Sequence, residues 1–199
     1  MTDKKDWTGN SKTTFSQLGS SSHSETEREK HDFYATHPDA LRLLLKHESF
    51  SNVWEPACGQ GHLSEVLKQA GCHARSSDLI DRGYGTPDTD FLAIDNTHWN
   101  GDIITNPPFR YAQQFVTKAL QITTPGNKIA MFLKIQFLEG KERKHLFLNH
   151  PPHTIYVSSS RIQCAPNGQF NDKQSSAVCY AWFIWINQYK GQTVIKWFN

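Results

Sequence analysis

Residues 52–71, NVWEPACGQGHLSEVLKQAG, constrain the fold more than any other part of the chain. Residues 52–55 read as a short buried strand, a glycine-rich loop follows, and a helix over about 62–70 is stopped by Gly71. A strand that turns through glycines into a helix is the first half of a βαβ unit, and it calls for a parallel strand beside it. CHARSSDLI supplies that strand, ending near Asp78.

The remaining elements keep the alternation. HPDALRLLLKH, with Pro38 near its start, predicts a helix ahead of the glycine loop. Residues 82–100 are rich in loop punctuation (Gly83, Gly85, Pro87, Asn100). DIIT (102–105) predicts a strand, YAQQFVTKALQIT (111–123) a helix, and NKIAMFLKIQFL a long buried strand. KERKHLFLNH predicts a helix halted by Pro151 and Pro152, and HTIYVSSS a further strand. SAVCYAWFIWIN and QTVIKWFN read as a closing hairpin across QYKG. This order predicts a doubly wound α/β, Rossmann-like sheet, mostly parallel, with an antiparallel C-terminal strand.

Composition bounds the setting. Residues 1–30 are rich in Ser, Thr and charge without apolar periodicity, which predicts a disordered tail ahead of one domain over 31–199. The tail lacks the apolar stretch of a signal peptide, and no run approaches the ~18 apolar residues of a membrane span, so a soluble, cytoplasmic protein without membrane partners is expected. Cys58, Cys72, Cys164 and Cys179 form no CxxC pair and read as reduced thiols. His145, His150 and His153 lack acidic or cysteine companions at ligand spacing, so no metal is expected. Charge is uneven: residues 31–109 hold five basic and eleven acidic groups (net −6), and residues 110–199 eleven basic and three acidic (net +8). The basic half suits a polyanion such as nucleic acid. Nothing in the sequence speaks to oligomeric state.

Two stretches carry chemistry. In EPACGQG, Gly59 and Gly61 allow a turn and a close approach to free N–H groups at a helix N-terminus. About 20 residues on, Asp78 is placed to accept hydrogen bonds from both hydroxyls of a ribose. In NPPF (Asn106, Pro107, Pro108, Phe109) a strand ends on an amide, and two prolines then lock the chain.

WEPACGQGHLSEVL followed by DIITNPPF resembles the class I methyltransferases that use S-adenosylmethionine (AdoMet). It is most similar to the N6-adenine DNA methyltransferases, in the gamma order that places DFYATHP ahead of the glycine loop, and especially to the small ones of phage and prophage origin. The resemblance implies AdoMet as cofactor, with Phe33, Tyr34 and Thr36 at its methionine end, Glu55, Ala57, Gly59 and Gly61 around it, and Asp78 on its ribose. Asp90 and Phe91 match the pair beside the adenine of AdoMet, and Asp95 offers a second candidate. Asn106, Pro107, Pro108 and Phe109 match the catalytic motif: the Asn106 oxygen and the Pro107 carbonyl would accept the two hydrogens of an exocyclic amino group, and Phe109 would stack on the target base. Such a base would have to leave the duplex.

The polar loop 159–176 lies where such enzymes contact the target, which nominates Arg161 and Phe170 as substrate contacts. Only ninety residues follow Phe109 and most are needed to finish the sheet, so no separate target-recognition domain is expected. Specificity should be short or relaxed, or supplied by loops, the N-terminal tail or a partner. DNA is the expected partner. Phe in place of the commoner Tyr of the motif leaves RNA or a protein glutamine open as substrate, and a non-enzymatic AdoMet- or DNA-binding protein is the third reading.

Overall fold

A computed structural model describes residues 34–95, 97–160, 162, 164–166, 170 and 178–199. The stretch 1–30 and the site candidates Phe33 and Arg161 lie outside the described residues. In chain order the elements are β1 (Tyr34–Thr36), α1 (Pro38–Leu44), β2 (Val53–Glu55), α2 (His62–Gln69), β3 (His73–Ser76), β4 (Ile103–Thr105), α3 (Ala112–Ile122), β5 (Lys128–Lys134), α4 (Lys144–Asn149), β6 (Thr154–Val157), β7 (Cys164–Pro166), β8 (Tyr180–Ile186) and β9 (Val194–Trp197).

The predicted βαβ unit forms as expected. Pro38 opens α1, where its missing N–H costs nothing. Gly61 caps the start of α2 and Gly71, at φ +71°, turns the chain out of it. Seven strands make one sheet in the order β3-β2-β4-β5-β8-β6-β9, and β8 alone runs against the rest. Side chains alternate cleanly across it. Ile103, Ile129, Met131, Phe183 and Trp185 pack with α3 and α4 on one face. Ile104, Ala130, Phe132, Trp182 and Ile184 pack with α1 and α2 on the other. Both faces are covered, so the sheet is doubly wound.

Two expectations are corrected. The predicted closing hairpin does not form: β8 pairs with β5 and β6 on its two edges, and β9 pairs in parallel with the outer edge of β6. The reason is legible in β8 itself. YAWFIWI is apolar on both faces and buried almost throughout, so it takes a central place, and both its edges are used before β9 arrives. The strand predicted through residue 138 ends at Lys134, where its pairing with β8 runs out at Tyr180, and a 3-10 turn (Ile135–Leu138) follows.

At the N-terminal ends of the strands, Asp102 acts as a peg. Its carboxylate accepts the Ser51 N–H at 2.8 Å and the Lys128 N–H at 2.7 Å, joining β5 to the chain entering β2. At the other end, the chain leaves β2 for β3 on one side and returns to β4 on the opposite side. The crevice between β2 and β4 is therefore the switch point where open α/β sheets bind ligands, outside the carboxyl ends of the strands. A second small sheet pairs β1 with β7 antiparallel, Tyr34 opposite Pro166 and Thr36 opposite Cys164.

Candidate active site

The strand ends at this crevice carry the residues the motifs singled out. Glu55 closes β2 and is 2% exposed. It accepts the Ser64 hydroxyl, which also meets Ser76 Oγ, which in turn meets His73 Nε2 at 2.7 Å. Burial pushes the Glu55 carboxyl up to about 8; the charge of Asp78 adds to this and hydrogen bonds from Ser64 oppose it. Cys58, buried in the loop, is pushed up to about 12 by burial and by the same two carboxylates, which leaves its thiol protonated and inert. Ala57 is partly buried against the core.

The raised Glu55 carboxyl has a measurable consequence. Between about 4.5 and about 8 the folded protein holds a proton the unfolded chain has released, so this group's contribution to stability is full below 4.5 and falls as pH rises to 8. Urea unfolding at pH 6, 7 and 8 should show a decline, on the order of a few kcal/mol, that Glu55→Gln flattens. Parallel curves for the two proteins would refute it.

Asp78 does two things at once. Its Oδ2 accepts the Gly59 N–H at 2.7 Å and its Oδ1 accepts the Ile80 N–H at 2.9 Å, so it staples the glycine loop to the end of β3. Beside it Leu79 is 55% exposed, an apolar surface next to a carboxylate. The glycine at 61 has a local cause: φ is +83°, and a Cβ there would lie 2.5 Å from the ring of Tyr84. Tyr84 stands between Gly83 and Gly85, both at positive φ, and its hydroxyl donates to Glu65 at 2.7 Å. Gly61→Ala should cost about 1–2 kcal/mol of backbone strain plus the collision. Denaturation of the single and double variants checks the cause, because Tyr84→Ala should relieve part of the loss.

NPPF follows β4. Asn106 Nδ2 donates to the Tyr34 carbonyl at 2.8 Å, which fixes the amide plane. Asn106 Oδ1 is buried and has no hydrogen-bond partner among the described residues. The turn bond from the Tyr111 N–H goes to the Pro108 carbonyl rather than that of Pro107, and Phe109–Tyr111 form a 3-10 turn. The Phe109 ring lies 5.6 Å from Tyr34 and 5.8 Å from Tyr180, with Lys134 Nζ 4.3 Å from its centroid.

Thr36 is buried in β1. Phe170 lies edge-on to His37 (4.9 Å) and His62 (5.3 Å), on the glycine-loop side; burial, aided by His37, holds His62 below its ordinary range. Asp90 is exposed and caps the 3-10 turn Phe91–Ala93 through the Leu92 N–H. Phe91 is 2% exposed, with its ring held between Trp54 and Phe115 in the core. Asp95 is exposed. Leu79, Tyr84 and Lys134 stand beside Asp78, Gly61 and Phe109, and the motifs did not name them. Their signals were an apolar residue directly after the strand-end Asp, an aromatic residue between two glycines, and a charge closing an apolar strand. Among the described residues no group of three or more His, Cys, Asp or Glu could hold a metal, and no helix is long and apolar enough to cross a membrane.

No protein-family model matches the sequence, and no curated protein matches it. Solved structures do resemble it. A candidate class I AdoMet-dependent methyltransferase from Listeria monocytogenes shares 15% identity at a TM-score of 0.52, over 80% of this chain and 62% of that one. TrmN from Thermus thermophilus shares 14% at 0.52, over 75% and 48%. A candidate RNA methyltransferase from Pyrococcus horikoshii shares 13% at 0.51, over 74% and 79%. The chain thus spans less than two thirds of the first two proteins. The fold is that of the class I AdoMet-dependent methyltransferases.

Proposed function

We propose that this chain transfers the methyl group of AdoMet to the exocyclic N6 amino group of adenine in DNA. The observation that carries the proposal is Asn106: its amide nitrogen is tied to Tyr34, and its oxygen is buried at the switch point with no partner among the described residues. A buried unpaired acceptor is costly, on the order of 1–3 kcal/mol, and its retention is explained by a donor that arrives with the substrate.

The donor set fits AdoMet. A carboxylate at Asp78 suits a ribose, the exposed Leu79 beside it suits an adenine ring, and a cationic amino group brought near the buried Glu55 carboxyl would favour loss of the proton that burial holds there. When bound, AdoMet supplies an electrophilic methyl group on a sulfonium. The chain's own residues do the rest. An aromatic amine is a poor nucleophile because its lone pair is delocalised into the ring. The Asn106 oxygen and the Pro107 carbonyl, held rigid by the proline pair, accept its two hydrogens and favour a pyramidal nitrogen with a directed lone pair. Tyr34, Phe109 and Tyr180 form an aromatic group on which the base can stack.

The test is incubation of the full chain with labelled AdoMet and unmethylated DNA, followed by nucleoside mass spectrometry. N6-methyladenine is the expected product, and its absence from every DNA offered would end the proposal. RNA is the second reading, favoured by the fold likeness to a candidate RNA methyltransferase, and equal amounts of RNA in the same assay decide between them.

A further inference from the structure

The two sides of α3 differ in kind. Phe115, Val116, Ala119, Leu120 and Ile122 are buried. The other side carries Gln113, Gln114, Thr117, Lys118 and Gln121, which with Leu92 and Glu142 line a cavity of about 460 Å³. Positions 114, 118 and 121, and likewise 113, 117 and 121, fall together along a helix surface. An outward helix face is ordinarily rich in charge. This one holds a single charge, and that one is committed: Lys118 Nζ donates to the Ile94 carbonyl at 2.6 Å. None of the three glutamine amides hydrogen-bonds to another group among the described residues. The groove therefore offers amide donors and acceptors and one carboxylate, while its lysine is already engaged. That lining suits an uncharged polar ligand better than a phosphate.

The chain ties this groove to the candidate active site. Phe109–Tyr111 form the 3-10 turn that leads directly into α3, so Gln113 and Gln114 stand in the first turn of the helix after NPPF. Glu142 belongs to a 3-10 turn (Lys141–Arg143) that follows β5, the parallel neighbour of β4. Gln121 lies about 12 Å further along the helix axis than Gln113.

We propose that this groove reads a base of the substrate strand that flanks the target, and that it selects adenine there. This rests on the methyl-transfer reading above. A glutamine amide presents a donor and an acceptor side by side, which matches the ring nitrogen and amino group on one edge of adenine. Glu142 adds an acceptor for an exocyclic amino group and disfavours the carbonyl oxygens that guanine and thymine present instead. Selectivity is thereby built into the helix that follows the NPPF motif.

The experiment offers the full chain AdoMet and DNA of random sequence, with RNA of random sequence as a second arm, and maps N6-methyladenine at single-nucleotide resolution. At one fixed position beside the methylated adenine, a second adenine should be favoured about 5- to 150-fold over guanine or thymine, the range of one bidentate pair. The triple variant Gln113→Ala, Gln114→Ala, Gln121→Ala should flatten that preference to within about twofold. Alanine favours a helix, so this variant should keep its fold, which urea unfolding checks. Gln192→Ala, in the loop ahead of β9, should leave the preference unchanged. A wild-type protein that methylates DNA with no preference at any flanking position overturns the assignment alone, as does a preference that the folded triple variant retains. A wild-type protein that methylates neither polymer overturns the functional reading and this assignment with it. A flanking preference confined to the RNA arm, and lost in the triple variant, supports the groove and makes RNA its strand.

Discussion

Replacing Asn106 by Ala is expected to lower the rate of methyl transfer by about 10²–10³-fold, the loss typical when one preorganised polar group at a reacting centre is removed. Stability should move the other way, or not at all. The substitution deletes one hydrogen bond, to Tyr34, but it also deletes a buried acceptor that has no partner among the described residues. Those effects are similar in size, about 1 kcal/mol each, so the variant should unfold at nearly the wild-type denaturant concentration. Asn106→Asp separates the two ends of the side chain. It keeps an acceptor toward the crevice but puts a second oxygen against the Tyr34 carbonyl, so it should lose both activity and stability. Single-turnover assays with denaturation curves on all three proteins test this. An Asn106→Ala protein within tenfold of wild-type activity would remove Asn106 from the chemistry.

The opposite profile is expected at Asp102. Asp102→Ala leaves the Ser51 and Lys128 N–H groups without their acceptor in a part of the sheet where Asp102 itself is only 5% exposed. Hydrogen bonds to a charged acceptor are worth about 1.5–3 kcal/mol each, so the loss should be about 3–5 kcal/mol, a large share of a domain's stability. Asp102→Asn keeps one acceptor and turns an NH₂ toward the other N–H, and it should fall between the two. The carboxylate sits at the opposite end of the strands from Asn106, so the fraction of protein that remains folded should keep its kcat. Denaturant midpoints together with active-site-normalised rates check this; a loss of kcat larger than the loss of folded protein would show that the peg also sets the site.

Much of this architecture could be read from local pattern. The glycines around α2, the proline at α1 and the apolar runs of β2, β4 and β5 each state their conformation within a few residues. What was not legible depended on non-local competition. The pairing of β9 with β6 followed from both edges of β8 being occupied, a fact no window of sequence contains. The same holds at the site. Asn106 and Asp78 were marked by motif, but the contact of Asn106 with Tyr34 and the staple from Asp78 to Gly59 arise only when separate strands converge. Phe91, beside Asp90, packs into the core between Trp54 and Phe115, a partner set that no motif states. Tyr84 is a like case, because the demand for glycine at position 61 comes from a ring 23 residues later.

The place of β8 has a consequence for how the molecule is made. β6 leaves the ribosome before β8, yet β8 lies between β5 and β6. A nascent chain therefore carries a slot one strand wide, flanked by two unpaired edges, until residues 180–186 are free to fill it. One of those edges belongs to β5, whose central residues are all apolar, and such an edge recruits foreign strands readily. Synthesis that stalls between β6 and β8 should yield aggregates rather than a smaller folded core. The last strand but one is the keystone of the sheet, and the chain is at its most vulnerable just before setting it.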